Sequence, residues 1–342
     1  MALPRIGVSD LRGIMAYPPT PAKANAADLN ARDTVDLDET ERMIKQLLQD
    51  GVDSIATNGT LGEMATLTLE EWKAFATTVV ETVRAHNPDF PLFIGATTLN
   101  TRDTIDRMRF LRDIGAPGVL LGRPMWSEMT AKTMIRFYQD VAEAVPELAI
   151  CVYDNTAAFR GIIPTEVYEA LSRIPQVVAV KYAGGAAIGF RYHNDLQAVG
   201  DRIKLFPIEC IWFFAYSLYG ERVPGCWSTT ATCGPEPVLY LRDVLLAGNL
   251  EEGRWIAERI LWAHEPFIVS RDFPEFARYN IQLERLRYEA AGYIKPGPSR
   301  PPYYMDLLPE QHVESTLEHV RRWQQVRQEV AERSKERATT TA

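Results

Sequence analysis

Short apolar runs recur along the first two thirds of this chain, and their spacing constrains the fold more than any other feature. Eight of them begin near Gly13, Ser54, Leu92, Gly118, Ala149, Val177, Ile203 and Val223. Each is the length of a buried strand, and seven are followed by a stretch in which apolar residues recur with helical spacing. Eight strands alternating with helices are the count of a (β/α)8 barrel of about 250 residues. We therefore predict an α/β fold, a TIM barrel over residues 1–233.

The segments between the runs predict helices with recognisable starts. Helical spacing covers residues 38–48, 69–83, 104–114, 130–145 and 165–171. Thr68 and Pro164 stand at positions that typically open a helix. The rival architecture is a doubly wound open sheet, which usually has a G-x-G-x-x-G turn after its first strand. Here that strand leads into YPPTPAKANAAD, so the sequence favours the barrel.

Beyond the barrel, residues 234–335 have helical spacing throughout, apart from a break at KPGPSRPPY. This pattern predicts a C-terminal helical extension that packs on the barrel and is not a second catalytic domain. Residues 336–342 are charged and then rich in threonine. Such a composition predicts a disordered tail.

Composition excludes several classes of function. The net charge of −8 gives no support to nucleic-acid or anionic-membrane binding, and no apolar run reaches the roughly 18 residues of a membrane span. The start of the chain does not resemble a signal peptide. The four cysteines of the chain have no C-x-x-C spacing, which predicts reduced core thiols in a cytoplasmic protein. His312 and His319 share a helix face, where a solvated surface is favoured over a metal site. We expect no metal.

A lysine stands where a buried strand ends. Lys181 closes the run VVAVK, Tyr153 closes the preceding strand, and the turn NGTLGE of residues 58–63 follows the second strand. In a barrel, the C-terminal ends of the strands face the active site, and neighbouring strands run about 4.8 Å apart. We therefore expect Lys181, Tyr153 and this turn to lie together.

Their chemistry is complementary. An ordinary lysine is only about 0.04% neutral at pH 7, but burial at the mouth of an apolar barrel lowers its pKa. A neutral Lys181 amine can attack a ketone to form an electron-withdrawing iminium, and Tyr153 can carry the protons. The alternative is a strand-end lysine whose amine extends into solvent.

The turn is less informative. Gly59 and Gly62 bracket Thr60, and exposed N–H groups there could hold a carboxylate, although any tight loop would look the same. We expect Glu63 to be a buried cap of this loop. The pair Gly184-Gly185 permits close approach of a ligand and is equally explained by a turn.

Together these motifs resemble the pyruvate-dependent Schiff-base lyases, which include dihydrodipicolinate synthase and N-acetylneuraminate lyase. The resemblance covers residues 12–300 and rests on the G-T-x-G-E turn, the tyrosine ending strand five and the lysine ending strand six. It implies that Lys181 forms the iminium with pyruvate, Tyr153 is the acid and base, and the pyruvyl carboxylate lies on Gly59, Thr60 and Leu61. It also implies that no organic cofactor is needed.

Three departures separate this chain from dihydrodipicolinate synthase. Leu61 replaces a second threonine, and Pro124-Met125-Trp126 replaces a P-Y-Y stretch whose tyrosine serves the neighbouring subunit. Ala158 stands where that enzyme has an arginine for its amino-acid substrate. Lysine biosynthesis is therefore disfavoured, although another pyruvate aldolase stays open.

A narrower subgroup fits better, the hydratase-aldolases of aromatic-hydrocarbon breakdown. The shared features are Tyr153-Asp154-Asn155, Cys226-Trp227-Ser228, Pro19-Thr20-Pro21 and GPSRPPY. The resemblance implies that Asn155 takes part in catalysis and that Trp227 lines the aryl side of the pocket. The alternatives are a turn cap for Asn155 and core packing for Trp227.

The subgroup implies hydration and retro-aldol cleavage of a benzylidenepyruvate to an aromatic aldehyde and pyruvate. We expect trans-2'-carboxybenzalpyruvate to be favoured over the trans-o-hydroxy substrate, because Arg160 is placed to meet a ring carboxylate; a solvent-facing Arg160 is the alternative. A homotetramer is implied, with Met125-Trp126 near a subunit contact. Two other classes stay open: a sugar-phosphate enzyme, and a catalytically inactive barrel that acts as a binding module.

Overall fold

A computed structural model describes residues 3–182, 189–269 and 272–340, and it contains a sheet of eight parallel strands. The strands are β1 (Gly13–Ala16), β2 (Ser54–Ala56), β3 (Leu92–Gly95), β4 (Gly118–Leu121), β5 (Ala149–Tyr153), β6 (Val177–Lys181), β7 (Lys204–Phe206) and β8 (Gly225–Ser228). Their order in space is β7-β6-β5-β4-β3-β2-β1-β8. A parallel bridge between Ile208 and Trp227 joins the two ends of this order. The predicted barrel is confirmed.

A helix follows each strand. These helices are α1 (Leu37–Asp50), α2 (Leu69–His86), α3 (Thr101–Asp113), α4 (Ala131–Ala144), α5 (Thr165–Leu171), α6 (Phe190–Val199), α7 (Glu209–Tyr219) and α8 (Glu236–Leu246). The predicted starts hold: Thr68 and Glu71 form a capping box at α2, and Pro164 is the N-cap of α5. The strands are short and almost wholly buried, so their side chains fill the barrel and its contact with the helices.

Three further helices follow α8 in the region that the sequence analysis assigns to the C-terminal extension. They are α9 (Leu250–His264), α10 (Phe273–Ala291) and α11 (Glu310–Thr340). The predicted break at KPGPSRPPY falls in the segment of residues 292–309, which is non-helical apart from a short 3₁₀ turn, Met305–Leu307. Helix α11 reaches Thr340 because QEVAERSKERA consists mostly of good helix formers, whereas the sequence pattern predicted a tail from residue 336. The division at residue 233, just before α8, stays a prediction.

The histidine interpretation needs correction. His312 and His319 lie on α11 but are buried, because this helix packs its face against α9 and α10. His312 is paired with Glu275, and a ring nitrogen of His319 lies 2.7 Å from the Ala263 carbonyl oxygen. The four cysteines are buried and unbridged. Within the described ranges, no group of His, Cys, Asp and Glu is arranged to hold a metal ion, and no helix is long and apolar enough to cross a membrane.

Candidate active site

The lysine that ends β6 lies at the C-terminal mouth of the barrel. Lys181 and Tyr153 are direct partners in the parallel register of β6 and β5. Lys181 is only 6% exposed, and its Nζ lies 5.0 Å from the centre of the Tyr153 ring. The predicted neighbourhood of these two side chains is therefore confirmed, and the solvent-exposed alternative for the lysine is wrong.

Burial changes the acidity of this lysine. Desolvation lowers the pKa of Lys181 from its ordinary value to about 7, and the negative charge of Asp154 only partly opposes this shift. A far larger fraction of the amine is then neutral at pH 7 than the about 0.04% of an ordinary lysine. Only the neutral form of an amine can attack a carbonyl carbon as a nucleophile.

The phenol of Tyr153 is the centre of a polar cluster. Its oxygen lies 2.9 Å from Thr60 Oγ1 and accepts hydrogen bonds from Asn155 Nδ2 at 2.9 Å and from the Thr60 N–H at 3.3 Å. Two N–H groups aimed at one phenolic oxygen stabilise negative charge that develops there. Asn155 also accepts from the backbone N–H groups of Ala157 and Ala158. Asn155 therefore caps its turn and also contacts the phenol, and its part in catalysis stays a prediction.

The turn after β2 is held in an unusual backbone shape. Asn58 and Glu63 have φ angles of 51° and 56°, in the left-handed region that few side chains other than asparagine adopt readily. At Gly62, a Cβ atom would lie 2.7 Å from the backbone of Asn58, so only glycine fits. A Cβ atom on Gly59 would lie 3.4 Å from the Tyr153 ring. This shape brings Thr60 to the phenol.

Glu63 ends the turn and is completely buried. Arg285 Nη2 of α10 donates to Glu63 Oε2 at 2.6 Å, and Arg300 donates to the same oxygen through its side chain. The backbone N–H of Arg300 donates to Glu63 Oε1 at 3.2 Å. Glu63 is therefore more than the loop cap that the sequence suggests. We call this group of Glu63, Arg285 and Arg300 the arginine clamp.

The clamp also holds the first βα loop. Arg285 donates to the Thr20 carbonyl at 2.6 Å, and Arg300 donates to the Thr34 carbonyl at 3.0 Å. Thr20 Oγ1 in turn donates to the Gly62 carbonyl at 2.8 Å. The PTP and GPSRPPY segments thus both contact the turn after β2, although Thr20 and Arg300 are 280 residues apart in the chain. Both segments therefore stabilise the turn that contains Thr60.

Aromatic rings surround the lysine nitrogen. Nζ of Lys181 lies 3.4 Å from the centre of the Trp227 ring and 5.4 Å from that of Tyr17. Trp227 belongs to β8 itself, and Tyr17 directly follows β1. Tyr17 was missed in the sequence, although its place at a strand end is the same signal that identified Lys181 and Tyr153.

A buried charged group lies behind Tyr153. Asp154 accepts from the Tyr168 hydroxyl at 2.7 Å, and its other oxygen lies 4.0 Å from Arg123 Nη1. Arg123 donates to the Gly161 carbonyl at 2.7 Å and lies over the ring of Phe159, which packs edge-on against Tyr153. Arg123 thus anchors the loop that begins at Asn155.

The structure therefore brings Lys181, Tyr153, Thr60, Asn155 and Trp227 together at one end of the barrel. Gly59 lies against the phenol, and Leu61 is almost buried in the same turn. Arg160 is exposed on the loop after β5, where its carbonyl accepts from Arg123. The pair Gly184-Gly185 lies outside the described residues.

This arrangement can form and break a Schiff base. The amine of Lys181 lies beside a phenol that is within hydrogen-bond distance of the Thr60 hydroxyl, and aromatic rings surround its nitrogen. The substrate that suits this site is a carbonyl compound whose carbon the amine can attack and whose carboxylate can bind at the turn after β2.

Known proteins share this architecture. The dihydrodipicolinate synthetase family matches residues 19–291. The chain is 43% identical over 328 residues to the trans-2'-carboxybenzalpyruvate hydratase-aldolase of Nocardioides sp. (strain KP7), covering 96% of this chain and 97% of that protein. It is 40% identical over 323 residues to the trans-O-hydroxybenzylidenepyruvate hydratase-aldolase of Pseudomonas putida, covering 93% and 95%.

A solved structure gives the same answer. PhdJ bound to a substrate intermediate is 41% identical, with a TM-score of 0.90, and the match covers 95% of this chain and 99% of that one. The resemblance inferred from the strand-end motifs is confirmed by these matches. Barrel, buried lysine and sequence agree, and the chain belongs to the dihydrodipicolinate synthetase family.

Proposed function

We propose that this chain is a hydratase-aldolase that converts a benzylidenepyruvate to an aromatic aldehyde and pyruvate through a Schiff base on Lys181. The observation that carries the proposal is the buried amine of Lys181, with a pKa of about 7, in register with Tyr153. The two hydratase-aldolase relatives, each matched over nine tenths of its length, support the reaction class.

The reaction begins at the C2 ketone of the substrate. The neutral amine of Lys181 adds to C2, and the carbinolamine loses water to give an iminium, with Tyr153 supplying the proton that the leaving hydroxyl needs. The substrate carboxylate lies on the turn of Gly59, Thr60 and Leu61. The iminium then withdraws electrons through the conjugated C3–C4 double bond.

Hydration and cleavage use this same electron sink. Asn155 and Tyr153 hold the water that adds to C4, and the Tyr153 phenolate left by the dehydration step takes the water's proton while the C3–C4 double-bond electrons pass into the iminium to give an enamine. Tyr153 then returns this proton to C3, which restores the iminium and gives the aldol. Tyr153 next removes the proton of the C4 hydroxyl, the C3–C4 bond breaks, and its electrons pass into the iminium as the aldehyde leaves. Protonation and hydrolysis of the remaining enamine release pyruvate and free Lys181. This chain's residues suffice for every step.

Reductive trapping tests the proposal and its pH dependence together. With pyruvate and cyanoborohydride, we expect a stable adduct that peptide mapping places on Lys181. Only the neutral amine attacks, so the trapping rate should rise about tenfold from about pH 6 to about pH 8 and then level off, given a pKa of about 7. An ordinary lysine would keep gaining reactivity up to about pH 10. An active enzyme without the adduct contradicts the Schiff base, and an inactive protein without it indicates the binding module.

The ring substituent is the finer part of the proposal. We expect kcat/KM to be higher for trans-2'-carboxybenzalpyruvate than for the trans-o-hydroxy substrate, with Arg160 meeting the ring carboxylate. Because Arg160 is exposed, Arg160→Gln should lower kcat/KM for the carboxy substrate by only about two- to fivefold and leave the hydroxy substrate unchanged. Arg136→Gln on the exposed face of α4 is the matched control. Preference for the hydroxy substrate rejects this assignment and leaves the chemistry of Lys181 intact.

We also propose a cytoplasmic homotetramer. Trp126 is 78% exposed, which fits a residue that lies near a subunit contact. Sedimentation as a stable monomer would contradict the tetramer.

A further inference from the structure

The face of the Trp227 ring lies against the Lys181 nitrogen that forms the proposed Schiff base. Of the three rings around Lys181 Nζ, that of Trp227 is by far the nearest, with its centre 3.4 Å away. A cation interacts measurably with an aromatic face out to about 6 Å, and most strongly with an indole. Trp227 thus contacts a reacting atom as well as the pocket wall.

This ring is fixed in place. Its indole N–H donates to the Tyr182 carbonyl at 3.0 Å, and Tyr182 directly follows Lys181 in the chain. The edge of Tyr17 packs against it at 5.9 Å, and only 9% of Trp227 is exposed. These contacts hold the ring on two sides with its face toward the nitrogen.

The charge at this nitrogen changes as the reaction proceeds. A neutral amine gains little from an aromatic face, whereas the protonated iminium through which the reaction proceeds carries a positive charge at this nitrogen. The negative face of the ring therefore stabilises the iminium more than the free amine, and the effect grows where water is excluded. An interaction that strengthens along the reaction coordinate is one that accelerates it.

We propose, building on the proposed function, that Trp227 is a catalytic residue whose indole face stabilises the positive charge of the Lys181 iminium. The Nζ lone pair forms the bond to C2, and the oxygen of the former ketone leaves as water after taking a proton from Tyr153. The nitrogen keeps one proton and the positive charge, next to the ring. The carboxyl groups of Asp154, Glu209 and Glu284 favour the charged form of Lys181, and none of them is altered in the experiments below.

Fluorination of the indole tests the electronic part alone. Mono-, di- and trifluorotryptophan placed only at position 227 weaken the negative face step by step and barely change its volume. We expect kcat for cleavage and the fraction of enzyme held as iminium by pyruvate to fall stepwise, by about tenfold at trifluorotryptophan. The same residues at position 255 are the control, because Trp255 carries the guanidinium of Arg333 over its ring at 4.1 Å, away from the site. A flat series at position 227 overturns the proposal.

The trapping profile of Trp227→Phe and Trp227→Leu gives a second readout with opposite signs. If the ring stabilises positive charge, its loss lowers the pKa of Lys181 further, so the profile moves to lower pH while less iminium accumulates. If Trp227 only excludes water, its loss admits water and the profile moves to higher pH, which contradicts the proposal. Failure of the wild-type protein to be trapped by pyruvate would instead overturn the proposed function itself.

Discussion

Lys181→Ala is expected to lower kcat by on the order of 10⁴-fold or more, because the change removes the amine that forms the iminium on which both hydration and cleavage depend. The variant should fold, since the change removes a nitrogen whose charged form is already disfavoured by burial. Turnover of a benzylidenepyruvate and circular dichroism are the measurements.

A second strand lysine provides the matched control. Lys204 begins β7 and therefore lies at the opposite end of the barrel from Lys181, which ends β6. Lys204→Ala should keep both turnover and reductive trapping by pyruvate. Near-normal turnover of Lys181→Ala would contradict the entire Schiff-base scheme.

Tyr153→Phe is expected to lower kcat by about 10³-fold, within the range typical of losing a general acid and base. The change removes only the oxygen that Thr60 and Asn155 contact, while the ring that packs against Phe159 remains. Both carbinolamine dehydration and C3–C4 cleavage then lack their proton carrier. Pre-steady-state formation of the iminium and release of the aldehyde should therefore both become slow.

The control for this variant is another buried tyrosine hydroxyl. Tyr138 of α4 donates to the Leu121 carbonyl at 3.0 Å and lies outside the polar cluster. Tyr138→Phe should cost some stability and leave kcat within a few fold of wild type, as ordinary hydrogen-bond deletions do. Equal losses of kcat in the two variants would mean that Tyr153 acts through packing and not through its hydroxyl.

The proximity of Lys181 and Tyr153 could be predicted from the sequence because its signal is local. Lys181 and Tyr153 each end an apolar run, and in a parallel barrel such positions share one mouth whatever the remaining packing. Thr60 could be selected as a candidate because Gly59 and Gly62 bracket it in the turn after β2. Tyr17 was accessible by the same reasoning, since it directly follows β1.

Other features could not be predicted because their causes lie far apart in the chain. Glu63 is separated from Arg285 by 222 residues and from Arg300 by 237, so no local pattern connects them. His312 and His319 have the spacing of a helix surface, but whether that face meets water or another helix is decided by tertiary packing. The contact between Lys181 and the face of Trp227 likewise exists only once β6 and β8 are assembled in the barrel.

The arginine clamp limits how this enzyme can be taken apart or recombined. A barrel cut free at residue 233 would keep the lysine, the phenol and the turn after β2, but it would lose Arg285 and Arg300. Glu63 would then be a buried carboxylate without a counter-charge, at a cost of about 3–5 kcal/mol. A chimera with the extension of another family member would need to bring both guanidiniums to the same oxygen. The last hundred residues thus stabilise the turn after β2, and we expect that they can be exchanged between family members only together with that turn.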